Sequence, residues 1–281
     1  ELLARLQAGD HTLRLVETVA PQDTEIMHER IAMSRRTWRS QYELPTSDEQ
    51  PIVGLAPTAL QFEELMRSLG IDDNSEVVLI DRGFDATRLW WLFHCFGKWQ
   101  GVRILDGGYW GWLGKGLPTT AEAPPAVRGN FRARKPRTSL IASRDDVMNL
   151  RDRRYHRLWD VRSHVEHAGM TTLPGAKTAG RVPWTNGRID WETFRNSKDG
   201  FWLDTLTMRA TGYAALNGSV PDDGIEHTFY SQTGIRTTQI IFGLHLAGWP
   251  LERLKNYDGS WIEWSRDPNP DNIHVEYQRE L

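Results

Sequence analysis

The 281-residue chain has a single cysteine, Cys95, which rules out an intramolecular disulfide and any metal site built from cysteines. It has no apolar run near the ~18 residues that span a bilayer, and its opening ELLARLQAGD lacks the charged-then-apolar layout of a signal peptide. Because it opens on Glu1 rather than Met, a trimmed N-terminus is expected. An excess of one charge is also missing: 34 Lys+Arg stand against 37 Asp+Glu, a net charge of -3. No overall basic field exists to hold nucleic acid or an anionic membrane, so neither is expected as a partner, and anion binding has to be local. The rest is ordinary: 39% hydrophobic and 25% charged residues mark a globular protein, and the length suggests two domains.

A repeat organises the chain. Val102-Arg-Ile-Leu-Asp-Gly-Gly-Tyr-Trp-Gly-Trp112 and Leu254-Lys-Asn-Tyr-Asp-Gly-Ser-Trp-Ile-Glu-Trp264 share an Asp-Gly pair with a Trp six residues beyond the Asp, at an offset of 152. Val77–Asp81 matches His227–Ser231 at an offset of 150, and Leu13–Glu17 matches Arg157–Asp160 at 143. Four landmarks in one order at a nearly constant offset imply a tandem duplication. In each copy, short apolar strands alternate with helices, which predicts a mainly parallel sheet covered by helices on both faces. Helices are predicted over Thr58–Leu69 before Gly70, over the apolar run Arg88–Phe96 before Gly97, and over Thr237–Ala247 before Gly248. The domains are placed at 1–120 and 138–281, joined by a linker over the proline- and charge-rich 121–137.

The second copy contains Ser231-Gln232-Thr233-Gly234-Ile235-Arg236-Thr237 where a strand gives way to a buried helix. Successive amides in such a turn, with the helix N-terminus behind them, form a positive concavity. Gly234 permits a left-handed turn residue, and Arg236 adds a fixed positive fork. A cysteine heading this loop would sit as thiolate; here the residue is Ser231. On the residues alone, an ordinary turn and an anion site fit equally well.

Beyond the loop, several pieces recur together. They are Asp81-Arg82 with Arg88-Leu-Trp-Trp91, Leu105-Asp-Gly-Gly108 with Trp112 and Gly116-Leu-Pro118, Asp160-Val-Arg162, Pro174-Gly-Ala176 with Val182-Pro-Trp184, and Tyr257-Asp-Gly-Ser-Trp-Ile-Glu-Trp264. In these pieces and the 231–236 loop the chain resembles, over most of its length, the tandem-domain rhodanese family, the thiosulfate and 3-mercaptopyruvate sulfurtransferases. The resemblance implies two rhodanese-like α/β domains, the first degenerate and the second catalytic. The six-residue loop matches this family rather than its phosphatase relatives, whose loop is one residue longer. It implies double displacement: a thiolate at position 231 takes sulfane sulfur from thiosulfate or 3-mercaptopyruvate as a persulfide, and cyanide or a thiol removes it. No cofactor is implied, and the partners are a small sulfur-donor anion and a thiol or cyanide acceptor, including a protein thiol such as thioredoxin. By the same resemblance, Ser231 and Arg236 are the catalytic positions. Gln232, Thr233, Gly234, Ile235, Thr237, Phe84 and Asp85 bind substrate, and Asp160 and Arg162 support them.

Serine cannot carry this chemistry, since its hydroxyl is far less acidic than a thiol of pKa ≈ 8.5 and oxygen forms no stable persulfide analogue. Cys95, inside an apolar helix, is read as inert. Two explanations stay open: an engineered Cys→Ser form of an active enzyme, favoured because the rest of the loop is intact, or a naturally non-catalytic module that binds an anion or a persulfide. Hydrolysis with Ser231 activated by His227, four residues upstream, is a third reading without a local triad signature. Some positions depart from the family pattern. Glu17 stands where aspartate is usual, and His28-Glu-Arg-Ile-Ala32 replaces His-Ile-Pro-Gly-Ala, with His28 matching a proton-relay histidine. Phe84-Asp85 replaces an aromatic pair at the pocket mouth, where the Asp85 carboxylate repels an anion unless compensated, and Glu166-His167 falls where a substrate arginine is expected. His164 and His167, with Glu166 between them, are metal-ligand types without a third ligand in a convincing motif, so no metal is expected and the segment reads as a solvated helix start. The basic stretches Arg132–Arg137 and Arg151–Arg157 read as solvated faces, and most of the thirteen tryptophans read as core. A monomer is expected, in the cytoplasm, or in the periplasm if a leader has been removed.

Overall fold

The apolar runs form the centres of two parallel sheets. In the computed structural model, which describes residues 1–20 and 28–276, the strands in chain order are β1 (Leu13–Thr18), β2 (Arg30–Ile31), β3 (Ser34–Thr37), β4 (Glu76–Asp81), β5 (Val102–Ile104), β6 (Thr119–Thr120), β7 (Ile141–Ala142), β8 (His156–Asp160), β9 (Gly187–Arg188), β10 (Glu226–Tyr230) and β11 (Leu254–Tyr257). The first sheet has the order β3-β1-β4-β5 and the second β7-β11-β10-β8-β9, with every pairing parallel. A short antiparallel ribbon joins β2 to β6.

Apart from β7, the two sheets have the same strand order, with β9-β8-β10-β11 repeating β3-β1-β4-β5. The register repeats as well: Glu17 lies opposite Ile80, and Asp160 opposite Tyr230. The next residues on the central strands, Asp81 and Ser231, therefore hold corresponding places, which supports a duplicated ancestry. In each sheet the chain leaves the first long strand toward one side and returns to lay the next on the other. Parallel α/β sheets bind ligands at the carboxyl ends of the two strands flanking such a reversal, and in the second sheet these are β8 and β10.

Local sequence accounts for the connecting helices. Thr58 caps Ala59–Ser68 through a reciprocal bond with Gln61, and Gly70 follows at φ +71°. The apolar run predicted as a buried helix is Ala86–Cys95, with all ten residues buried, and Cys95 is a buried thiol outside any disulfide. Arg236–Leu246 is its counterpart behind β10. Trp112 and Trp264 both lie in the core, their indole N–H groups donating to the Pro118 carbonyl (2.9 Å) and the Asn272 carbonyl (2.7 Å). Burial of the ring with a bonded N–H is the usual arrangement for a core tryptophan.

By their internal contacts the residues fall into two units, Glu1–Glu43 with Ala56–Arg137 and Lys198–Phe201, and Leu44–Leu55 with Thr138–Ser197 and Trp202–Leu281. The 121–137 stretch belongs to the first unit, where Phe131 is buried against Phe62 and Phe93. Each unit also takes a short segment from the other half of the sequence. Phe201 lies so close to Gly107 and Gly111 that a Cβ at Gly107 would meet its ring at 2.6 Å.

Candidate active site

β10 ends at Tyr230, so Ser231 is the first loop residue and is fully buried. Four carbonyls of the loop are engaged by hydrogen bonds. Ser231 O accepts from Trp261 N–H (2.9 Å) and Gln232 O from Ile262 N–H (3.0 Å), both at the start of the helix Ser260–Trp264. Gly234 O accepts from the Thr237 hydroxyl (2.7 Å) and the Asn256 side-chain amide (2.9 Å), and Ile235 O accepts from the Thr238 hydroxyl (2.7 Å). The Gly234 amide donates to Ser231 Oγ at 3.1 Å. No hydrogen bond ties the amides of Gln232, Thr233 or Ile235 to an acceptor among the described residues. With four carbonyls engaged and the amides of 232, 233 and 235 open, the loop has the donor arrangement of an anion nest. Gly234, at φ +70°, makes the turn, and a Cβ there would stand 2.8 Å from the Asp258 carbonyl.

Asp160, at the end of β8, holds the base of the loop. Its carboxylate accepts from Arg162 Nε (3.0 Å) and Nη2 (2.8 Å), from His167 Nδ1 (2.9 Å) and from the Tyr230 hydroxyl (3.0 Å). Burial by itself would raise the Asp160 carboxyl, but the Arg162 charge and the bonds from His167 and Arg162 hold it well below the usual range. Arg162 also stacks over Trp261, its Cζ 4.4 Å from the ring centroid. The supporting pair Asp160 and Arg162 thus connects the residue before Ser231 with the helix that takes its carbonyl.

Arg236 is already paired. Its guanidinium makes a fork with Glu166 at 2.8 and 2.9 Å, and Glu166 closes a capping box with Ser163 on the short helix His164–His167. Burial acts to raise the Glu166 carboxyl, but the bonds and charge of Arg236 bring it below its ordinary value. The positive character of the loop therefore comes from its amides and helix end, with the arginine balanced by a carboxylate. His167, bonded to Asp160, is not part of a solvated helix start. No group of three or more metal-ligating side chains occurs among the described residues.

Phe84 and Asp85 lie in the first unit, on the loop after β4 that corresponds to 231–236. There the Asp81 carboxylate accepts from the amides of Gly83 (3.2 Å) and Asp85 (3.0 Å), so this loop has its own anion built in. Arg39 neutralises Asp85 with bonds of 2.6 and 3.1 Å and stacks against Phe84, 4.9 Å from its ring centroid. The compensation that an acid at this position requires is present. Burial nonetheless leaves the Asp85 carboxyl above its ordinary value. Glu17 is fully buried and paired with Arg82 (2.9 Å) and Arg36 (3.4 Å), and His28 is exposed in the first unit.

His227 does not serve Ser231. Its Nδ1 accepts from Trp159 Nε1–H (3.0 Å), which leaves the proton on Nε2, 2.9 Å from the Ser219 hydroxyl, and Ser219 donates to Asp223 (2.6 Å). Burial lowers the histidine to about 4, so it is neutral near pH 7 with both nitrogens occupied. His227 therefore forms no triad with Ser231.

Sequence reasoning passed over Ser260. It sits at φ +50°, accepts from Ser231 N–H through Oγ (3.1 Å) and donates to the Tyr257 carbonyl (2.8 Å). A strained non-glycine residue bonded to the head of a loop is the kind of feature that clusters at sites. In the first copy the corresponding residue is Gly108, at φ +55°.

No family model matches the chain. Among curated proteins it is 32% identical over 273 residues to a protein of Haloferax volcanii named for thiosulfate sulfurtransferase activity, covering 93% of this chain and 89% of the relative. It is 33% identical over 220 residues to the sulfur carrier protein TtuD of Thermus thermophilus, covering 73% of each. To the 3-mercaptopyruvate sulfurtransferase of Rattus norvegicus it is 27% identical over 79% of this chain and 73% of the relative. Among solved structures, the Tum1 protein of Saccharomyces cerevisiae superposes with a TM-score of 0.80 at 19% identity, over 98% of this chain and 96% of that one, which shows a shared fold. The chain belongs to the rhodanese family of thiosulfate and 3-mercaptopyruvate sulfurtransferases.

Proposed function

We propose that the 231–236 loop is the sulfur-transfer site of this protein and that residue 231 is where the travelling sulfur is held. The observation that carries the reading is the loop itself, with amides 232, 233 and 235 open, four carbonyls engaged elsewhere and the Gly234 amide donating to the side chain of residue 231. With cysteine there, the thiolate attacks the outer sulfur of thiosulfate, the S–S bond breaks, and sulfite leaves with the bonding pair. The same attack on 3-mercaptopyruvate releases pyruvate after protonation of its carbon. Cyanide then takes the outer persulfide sulfur as thiocyanate, or a thiol takes it as a new persulfide, and the thiolate returns. The open amides stabilise the charge on the persulfide. The relatives include both donor classes and a sulfur carrier, which supports a small anionic donor and a thiol acceptor, a protein thiol included.

With Ser231 in place the chain binds the donor without turning it over. The test is Ser231→Cys, assayed for thiocyanate from thiosulfate plus cyanide and for pyruvate from 3-mercaptopyruvate; no turnover with either donor removes the reading. A second reading, a non-catalytic anion or persulfide binder, draws on the same open amides, which need no thiol to bind an anion. It predicts saturable binding of thiosulfate to the Ser231 protein and a natural gene that encodes serine at this position.

A further inference from the structure

Residues Leu44–Leu55 precede the 231–236 loop by nearly two hundred positions, yet they pack within the same unit. Leu44 N–H donates to Leu55 O at 2.8 Å, which closes the segment at its base in the manner of an Ω-loop. Inside it, the Gln50 side chain accepts from Ile52 N–H (2.7 Å) and donates to Ile52 O (3.0 Å), and Ser47 Oγ accepts from Gln50 N–H (3.1 Å). Ile52 is buried. The segment reaches the sulfur loop at Gly54. This residue has φ +90°, and a Cβ on it would lie 2.7 Å from Thr233 Cβ and 2.8 Å from the Thr233 carbonyl oxygen. Backbone conformation and space independently require glycine here.

We propose that the 44–55 loop belongs to the transfer site and that Gly54 is its positioning residue: by lacking a Cβ it lets the loop rest against Thr233 and sets the curvature of the 232–235 amides. The contact falls on one of the three residues whose amides are open, so a displacement there moves the donors that face the sulfur. A shift of a few tenths of an ångström in preorganised donors acts on charge stabilisation directly, because their value depends on distance and aim. This inference rests on the reading of 231–236 as the transfer loop and adds a determinant that is distant in sequence.

The experiment compares three full-length proteins, Ser231→Cys, Ser231→Cys with Gly54→Ala, and Ser231→Cys with Gln50→Ala. In each, the pKa of the introduced thiol is read from thiolate absorbance against pH, and kcat and KM are measured with thiosulfate and cyanide. Gly54→Ala should raise the thiol pKa and lower kcat by about tenfold or more with a smaller change in KM, as expected when oxyanion-type donors are misplaced. Gln50→Ala keeps the glycine but loosens the loop, and should move both quantities the same way by a smaller factor; it decides the matter if the alanine variant does not fold. Unchanged thiol pKa and kcat in the folded variants overturn the inference. If Ser231→Cys alone transfers no sulfur, the functional reading fails, while the thiol pKa still reports whether residue 54 shapes the loop.

Discussion

Ser260 provides a quantitative check on how the loop is held. Its hydroxyl makes two buried bonds, and its φ of +50° is one that L-residues adopt only under strain. Ser260→Ala keeps the strain and leaves the Ser231 amide without its partner, a loss of roughly 1–3 kcal/mol for an unsatisfied buried donor. Ser260→Gly loses the same bonds but relieves about 1–2 kcal/mol of left-handed strain. Against that relief stands roughly 0.5–1 kcal/mol of extra backbone entropy in the unfolded chain. The two variants should both be less stable than the parent, with glycine more stable than alanine by about 1 kcal/mol. Chemical denaturation of the full chain, followed by tryptophan fluorescence, measures this order. In the Ser231→Cys background both variants should also lose turnover. An alanine variant as stable as the parent, or equal stability of alanine and glycine, would refute the roles given to the hydroxyl and to the left-handed backbone.

Three further outcomes are expected. His227 is held down to about 4 from 6.5, so the unfolded chain takes up its proton first as pH falls; stability present above pH 6.5 is lost between 6.5 and about 4, at most on the order of 3 kcal/mol. His227→Gln, which can still accept from Trp159 and donate to Ser219, should flatten that part of the stability–pH curve, and a folded-state NMR titration of His227 near 6.5 would contradict it. Asp160→Asn leaves the buried Arg162 charge without its partner and should cost roughly 3–5 kcal/mol in denaturation experiments; a change within 1 kcal/mol, about the scale of a surface substitution, counts against its role at the base of the loop. Glu166→Gln releases Arg236 from its carboxylate, so thiosulfate binding measured by calorimetry should tighten severalfold, and unchanged or weaker binding speaks against an anion site at this loop.

How much could be read in advance follows from the range of the interactions. The central strands and the helices Ala59–Ser68, Ala86–Cys95 and Arg236–Leu246 were legible because apolar runs, capping pairs and closing glycines lie within a few residues of one another. The 231–236 loop was legible for the same reason, its turn glycine and following helix being contiguous. The pairing of Arg236 with Glu166 spans 70 residues, so the sequence shows two charges but not that they cancel. Asp85 looked unfavourable for an anion because Arg39, 46 residues upstream, neutralises it only in the folded chain. His227 looked available as a base because proximity along a strand does not reveal which way its ring is bonded. Ser260 was hidden by its type, since serine rarely adopts positive φ, although its alignment with Gly108 in the first copy was a usable signal. The exchange of 44–55 and 198–201 between units leaves no local trace at all.

Turnover at position 231 bears most directly on the account. Ser231→Cys in the full-length chain, given thiosulfate and then cyanide, should form a protein persulfide visible as a gain of one sulfur in intact mass, and then release thiocyanate, while the Ser231 protein does neither. Failure of the folded cysteine variant to take up sulfur from thiosulfate or 3-mercaptopyruvate would contradict the assignment of this loop as the sulfur-transfer site.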